Sequence, residues 1–139
     1  MTRAIASLCI ATAILLALAP AAGARRVALR SATGITPLVT PTSRIRKTER
    51  VVKLSARSVS GAKIEAFVQV FCFNKNLRLY RKTKTVTGVG RVTTKVRRPR
   101  GKGLSCTADA NVRVTSRPAP VSGPVPPIRL SAALYATRR

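Results

Sequence analysis

The strongest constraint on the fold is an alternation of apolar and polar residues with a period of two. In the segment KIEAFVQVFCF (63–73), every second side chain from Ile64 to Cys72 is aliphatic or a cysteine. The segments RVTTKVR (91–97) and LSCTADANVRVT (104–115) alternate in the same way. Because successive side chains of a strand point to opposite faces of a sheet, this period is typical of β-strands and not of helices.

Weaker alternations and turn residues extend this pattern over most of the chain. Residues 50–59, 77–86 and 128–135 are three further strand candidates. Residue types that favour turns cluster between the candidates, at residues 60–61, 74–76, 88–90, 99–103 and 118–127. Short strands separated by turn signals predict an all-β fold, a small antiparallel β-sandwich of about six or seven strands, with no helix after Ala24.

The amino-terminal segment has the three parts of a secretory signal peptide. Arg3 precedes an apolar run over residues 4–19, which is followed by Pro20 and the small-residue motif A-G-A (22–24). We therefore expect a cleaved signal peptide over residues 1–24 and a secreted, extracellular or cell-envelope protein. The alternative is an uncleaved amino-terminal membrane anchor, since the apolar run approaches the roughly 20 residues that span a bilayer.

The mature chain divides into an arm and one domain. Residues 25–48 contain Ser, Thr, Gly and Pro without a sustained period, which predicts a flexible basic linker or arm. The β-sandwich domain is expected over residues 49–139. A chain of 139 residues has room for a single core.

The cysteines predict one disulfide. Cys9 lies in the signal segment, which leaves Cys72 and Cys106, each on the inferred inward face of its strand. Closing this loop stabilises a fold by roughly 4 kcal/mol. Two buried free thiols are the alternative. Metal binding is not expected, because two cysteines without any histidine cannot complete a tetrahedral site.

The residue inventory argues against catalysis and against a cofactor. The chain has no histidine, and its acids, Glu49, Glu65 and Asp109, are far apart in sequence. A disulfide between the cysteines would leave no thiol nucleophile. No local motif marks a Ser-Lys dyad, and Gly88 and Gly90 indicate a turn rather than a phosphate-binding loop. We expect neither an enzyme nor a small-molecule substrate.

The charge predicts anionic partners. Lysine and arginine number 27 against three acids, giving a net charge of +24. Eleven bases and no acid lie between residues 75 and 102: Lys75, Arg78, Arg81, Lys82, Lys84, Arg91, Lys95, Arg97, Arg98, Arg100 and Lys102. Two strands joined by a turn at Gly88 would place Arg91, Lys95 and Arg97 on one exposed hairpin face beside the bases of the partner strand.

Two resemblances bear on the fold and function. The strand-borne cysteines, the second within LSCTADA (104–110), resemble those of immunoglobulin-like domains. GAKIEAFVQVFC (61–72), TKTVTGVGRVTTKV (83–96) and LSC (104–106) are similar to the secreted transthyretin-like and pollen Ole e I-like sandwiches. The second resemblance implies a carbohydrate- or surface-associated accessory module without catalytic residues.

These observations favour a non-catalytic secreted or envelope-associated module that binds polyanions through the basic hairpin face. The expected partners are cell-surface or extracellular glycans and teichoic-type polymers, with nucleic acid and anionic lipid headgroups as further candidates. One alternative is a cationic membrane-active or defence protein. The other is a purely structural domain whose charge reflects compositional arginine bias.

Overall fold

The computed structural model describes residues 24–58, 61–117 and 122–139, which form nine β-strands. The strands are β1 Ala24–Gly34, β2 Leu38–Val39, β3 Thr42–Ile45, β4 Val51–Ser58, β5 Lys63–Phe73, β6 Leu79–Val89, β7 Arg91–Arg97, β8 Ser105–Ser116 and β9 Ile128–Thr137. Within these ranges no helix occurs, and therefore none that could cross a membrane.

The strands form two antiparallel sheets. Sheet A has the strand order β1-β9-β4-β7. In sheet B, β8, β5 and β6 are consecutive neighbours, and the short strands β2 and β3 both pair with the other side of β8. The prediction of an all-β fold with antiparallel pairing is confirmed, with more strands than expected.

The predicted strands correspond closely to observed ones. The bounds of β5 and β7 coincide with the predicted segments 63–73 and 91–97. The bounds of β8 differ by one residue at each end, and the three weaker candidates correspond to β4, β6 and β9. The period-two signal was therefore sufficient for six of the nine strands.

Alternate side chains of both sheets meet in one buried core. Sheet A contributes residues such as Leu54 and Leu134, and sheet B contributes residues such as Val68 and Ala110. These four residues are at most 1% exposed. Because every second residue of a strand turns inward, the intervening residues of each strand lie on the outer face of its sheet.

The predicted disulfide is present. Cys72 on β5 and Cys106 on β8 are bonded, and they are 0% and 3% exposed. They are register partners on neighbouring strands, so the bond lies within sheet B. The alternative of two free thiols is wrong.

The predicted arm over residues 25–48 is instead part of the sandwich. Residues 24–34 form β1, which pairs with β9, and β2 and β3 pair with β8. The prolines between them also contribute, since the Pro41 carbonyl accepts from Ala110 N at 3.0 Å and the Pro37 carbonyl accepts from Val114 N at 3.3 Å. The sandwich therefore begins well before residue 49. The predicted signal peptide lies outside the described residues except for Ala24, the first residue of β1.

The predicted hairpin of β6 and β7 is wrong, because the two strands lie in different sheets. β6 pairs with β5 at the edge of sheet B, and β7 pairs with β4 at the edge of sheet A. Only Gly90, with φ +75°, separates them, and its carbonyl accepts from Ser58 N while its N–H donates to the Ala62 carbonyl. A Cβ on Gly88 would lie 2.8 Å from the Arg91 carbonyl oxygen, so only glycine permits this close crossing.

Candidate polyanion-binding face

The outer face of sheet A carries a set of exposed basic side chains. On β7, Val92 and Val96 point into the core, which leaves the intervening residues outside. The same alternation exposes the bases of β4 and β9, and the edge strand β1 adds one more. We name this set the basic face: Arg26, Lys53, Arg57, Arg91, Lys95, Arg97 and Arg129.

The register places like charges directly opposite each other on this face. Arg57 on β4 is the partner of Arg91 on β7, and Lys53 is the partner of Lys95. Directly opposite residues have Cβ atoms about 5 Å apart, and like charges at that separation destabilise a sheet. A bound anion between each pair would remove this repulsion.

The pair of Lys53 and Lys95 belongs to a row of register partners that crosses all four strands of sheet A. Lys53 is flanked by Lys95 on one side and by Tyr135 of β9 on the other, and Tyr135 is in turn the partner of Arg26 on β1. The row therefore combines three cations with a half-buried aromatic ring. Arginine and lysine neighbours of this kind can contact an anionic polymer while the ring packs against its apolar parts.

The other pair, Arg57 and Arg91, lies beside a cleft. The cleft has a volume of about 630 Å³ and lies where the chain crosses between the sheets at Gly90. Its lining comprises Arg57, Ser58, Gly90, Arg91, Arg129 and Ser131. The Ser58 Oγ atom is buried without a hydrogen-bond partner in the described structure. The three guanidinium groups around this cleft carry N–H donors of the kind from which phosphate or sulfate oxygens accept hydrogen bonds.

All three acids lie away from the basic face. Glu49 is 5% exposed in the turn before β4, where its carboxylate accepts from Arg25 at 2.7 Å and from the Arg46 backbone N–H at 2.7 Å. Burial alone would raise the pKa of the Glu49 carboxyl, but these hydrogen bonds outweigh it and hold the pKa below its ordinary value. The Glu49 carboxylate is therefore ionised, and its negative charge is already balanced by Arg25.

The other two acids lie on the outer face of sheet B. Glu65 accepts from the Arg113 guanidinium at 2.7 Å, and Asp109 accepts from Gln69 Nε2 at 3.0 Å. This face also holds half-buried Phe67 and a shallow cleft of about 430 Å³ beside it. Since the chain has no further acids, no carboxylate side chain forms an ion pair with a base of the basic face.

The structure divides the sequence-predicted site into separate groups. Arg91, Lys95 and Arg97 lie on the basic face. Arg81, Lys82 and Lys84 lie on β6 in the other sheet. The remaining exposed bases occupy two loops at one end of the sandwich: Lys75, Arg78, Arg100 and Lys102.

Arg98 has a structural role instead. Its Nη1 donates to the carbonyl oxygens of Arg46 at 3.0 Å and Lys47 at 2.9 Å, and its Nη2 donates to that of Leu104 at 2.8 Å. The side chain thereby fastens the β7–β8 loop to the turn before β4. We exclude it from the candidate site.

Sequence reasoning missed the partners of the β7 bases. Lys53 and Arg57 lie on a strand that was only a weak candidate, and Arg129 lies on the last strand. The available signal was the alternation of bases with buried residues on these strands. Which strands become neighbours, however, depends on the crossing at Gly90.

No group of three or more histidine, cysteine, aspartate or glutamate side chains could hold a metal ion in the described ranges. No protein-family model matches the chain, and a comparison with curated proteins finds no similar sequence.

Proposed function

We propose that this protein is a non-catalytic, secreted or envelope-associated module that binds polyanions through the basic face. The observation that carries the proposal is the pairing of Arg57 with Arg91 and of Lys53 with Lys95 on a face that no acid occupies. Each like-charge pair is unfavourable in the free protein, and an anion that bridges the two bases of a pair replaces their repulsion by attraction.

The geometry of the face favours a polymer over a single small anion. The two pairs are four residues apart along the strands, which corresponds to about 13 Å. A ligand with repeated sulfate or phosphate groups can engage both pairs at once, and the second contact is then effectively intramolecular. The proposed partners are sulfated or phosphorylated polymers such as extracellular glycans and teichoic-type polymers.

The chemistry of the chain supports binding rather than turnover. There is no histidine in the sequence, and Cys72 and Cys106 are held in the disulfide. The disulfide and the apolar segment over residues 4–19 both support an oxidising location.

The test compares two variants of equal charge. In the first, Gln replaces five bases of the basic face: Lys53, Arg57, Arg91, Lys95 and Arg129. In the matched control, Gln replaces five exposed bases of sheet B and its margin: Arg44, Lys63, Arg81, Lys82 and Lys84. Binding to heparin, a poly(glycerol phosphate), duplex DNA and single-stranded DNA is measured over a range of salt concentrations.

We expect the basic-face variant to lose at least about ten-fold in affinity for a preferred sulfated or phosphorylated polymer at physiological salt, which is about 1.4 kcal/mol. The control should lose much less, because its charges act only through the long-range field. Equal losses in both variants, with ligands ranked by charge density alone, would show that the charge is compositional and would refute the proposal.

A further inference from the structure

Exposed apolar side chains are grouped at the turn between β5 and β6, which we name the tip (residues 73–79). Leu77 is 80% exposed, the highest value for any large hydrophobic residue that the structure describes, and Leu79 and Phe73 are 49% and 40% exposed. Phe73 and Leu79 are register partners and therefore lie side by side across the two strands. Grouped exposure of this kind marks an interaction surface, whereas scattered exposed residues do not.

The backbone of the tip holds Leu77 in an unfavourable conformation. Leu77 has φ +59°, the left-handed region, and is the one non-glycine residue there in the described chain. The Asn74 side-chain oxygen accepts from the N–H groups of Asn76 and Arg78, both at 2.9 Å, and the Asn74 carbonyl accepts from Leu77 N at 3.0 Å. The turn is thus preorganised, and glycine or asparagine would occupy this position with less strain.

Bases surround the tip. Lys75 and Arg78 belong to the turn itself, and Arg100 and Lys102 lie in the adjacent β7–β8 loop. The two loops are close, because Lys75 Cε lies 4.0 Å from the position that a Cβ on Gly103 would occupy. We name these four exposed bases the basic collar.

No accessible carboxylate side chain offsets the basic collar. Glu49 is the acid at this end of the sandwich, and it is buried and paired with Arg25. Glu65 and Asp109 pair with residues further along sheet B. The tip therefore combines an exposed apolar centre with an unopposed positive rim.

Charge and polarity together identify the occupant. A soluble polyanion would satisfy the basic collar but leave Leu77 in water. A second copy of the chain would cover Leu77 but bring two positive rims together. An anionic bilayer provides an apolar layer for the tip and phosphates for the bases at the same depth, the arrangement in which interfacial segments bind.

We infer that the tip docks on anionic lipid bilayers, with Leu77 entering the interface and the basic collar contacting lipid phosphates. This site is distinct from the basic face, which lies on the outside of the other sheet. It requires no opening of the fold, because the apolar residues are already exposed.

A single-tryptophan experiment tests this placement. The chain contains no tryptophan, so Leu77→Trp introduces one reporter at the tip, and Ile35→Trp introduces one at an exposed site (64%) near the opposite end. Fluorescence is recorded with vesicles of phosphatidylcholine and of phosphatidylcholine mixed with phosphatidylglycerol. We expect the emission of the Leu77→Trp protein to shift to shorter wavelength with the anionic vesicles, while that of the Ile35→Trp protein does not. The absence of a shift at position 77, or equal shifts at both positions, would overturn the inference.

A second variant separates docking from folding and from the proposed polymer binding. Leu77→Gly removes the apolar group and relieves the left-handed strain, so it should fold. We expect its partitioning onto anionic vesicles to fall about ten-fold, since a side chain of this size gains free energy by leaving water. Ile35→Ser should retain wild-type partitioning, and heparin binding by Leu77→Gly should be unchanged. Unchanged partitioning of Leu77→Gly would mean adsorption by charge alone, and a parallel loss of heparin binding would mean that the tip is not a separate lipid site; either result would refute the inference.

Discussion

The two sheets of this sandwich differ on both of their faces. Both sheets have aliphatic residues inside, but sheet B alone adds a disulfide to the described core. Outside, sheet A has bases without acids, whereas sheet B has two of the three acids. Composition alone would not produce this separation. The comparison teaches that topology, by choosing which strands become neighbours, converts an excess of basic residues into one face whose charged side chains are all basic and another whose charges are mixed.

The largest expected effect on stability comes from removing the disulfide of sheet B. Replacing Cys72 and Cys106 together by Ala should lower the free energy of unfolding by about 4 kcal/mol, because the unfolded chain regains the entropy of a loop with sequence separation 34. Urea denaturation measures the change. Since the bond lies in sheet B, the variant should still bind heparin wherever it remains folded. A folded variant that loses heparin binding would show that the two sheets are not independent in function.

An intermediate effect is expected at Glu49, which links the turn before β4 to β1. Glu49→Gln should cost about 2 kcal/mol, because it weakens charge-assisted hydrogen bonds from Arg25 and Arg46. The folded pKa of Glu49 lies below the unfolded value of about 4.5, so its contribution is complete above that value and is lost as pH falls through the folded pKa.

Urea midpoints measured from neutral pH downward should therefore fall more steeply for the wild type than for Glu49→Gln below about pH 4.5. Parallel curves would show that this buried carboxylate does not contribute through its charge. Glu65→Gln is the control on the outer face of sheet B, where the partner Arg113 is exposed and the loss should be smaller.

The smallest effect on stability is expected on the basic face, where the substitution should stabilise the fold instead of destabilising it. Lys95→Glu converts the repulsive pair with Lys53 into an attractive one and should stabilise the fold by about 0.5 kcal/mol. The same change should weaken polyanion binding. Lys84→Glu makes an equal charge change on β6 opposite Val68, so it should give neither the added stability nor an equal loss of binding. Equal behaviour of the two variants in thermal unfolding and heparin binding would contradict the comparison between the sheets.

Most of the strands that the sequence predicted bury their inner residues, although the edge strand β6 buries none of them fully. Alternation is strong in β5 and β8 because each has neighbours on both sides and a core beneath it. The first three strands were missed for a different reason. β1 is an edge strand with a register shift between Arg26 and Ala28, so its burial is irregular, and β2 has only two residues. A strand that is very short or irregularly buried does not impose a period of two on the sequence, whereas the regularly buried edge strand β7 does.

The candidate site was only partly predictable. Exposure of Arg91, Lys95 and Arg97 follows from local alternation and is confirmed. The residues that neighbour these bases across the sheet could not be predicted from local alternation. Glycines at positions 88 and 90 are equally compatible with a hairpin in one sheet and with a crossing to the other sheet. The close approach of Gly88 to Arg91 is a tertiary fact, and it decides that Arg57, rather than a residue of β6, becomes the partner of Arg91.

The position of the disulfide makes the two ends of the β5–β8 strand pair unequal in their resistance to mechanical force. Cys72 directly precedes Phe73, and its partner Cys106 lies one residue into β8. A force applied at the tip is transmitted to β8 through a covalent bond, whereas a force at the opposite end of the same strand pair meets only hydrogen bonds, which can open one at a time. The end that we assign to a lipid surface is therefore the end of sheet B that best resists being pulled apart, and rupture under load would begin at the far end.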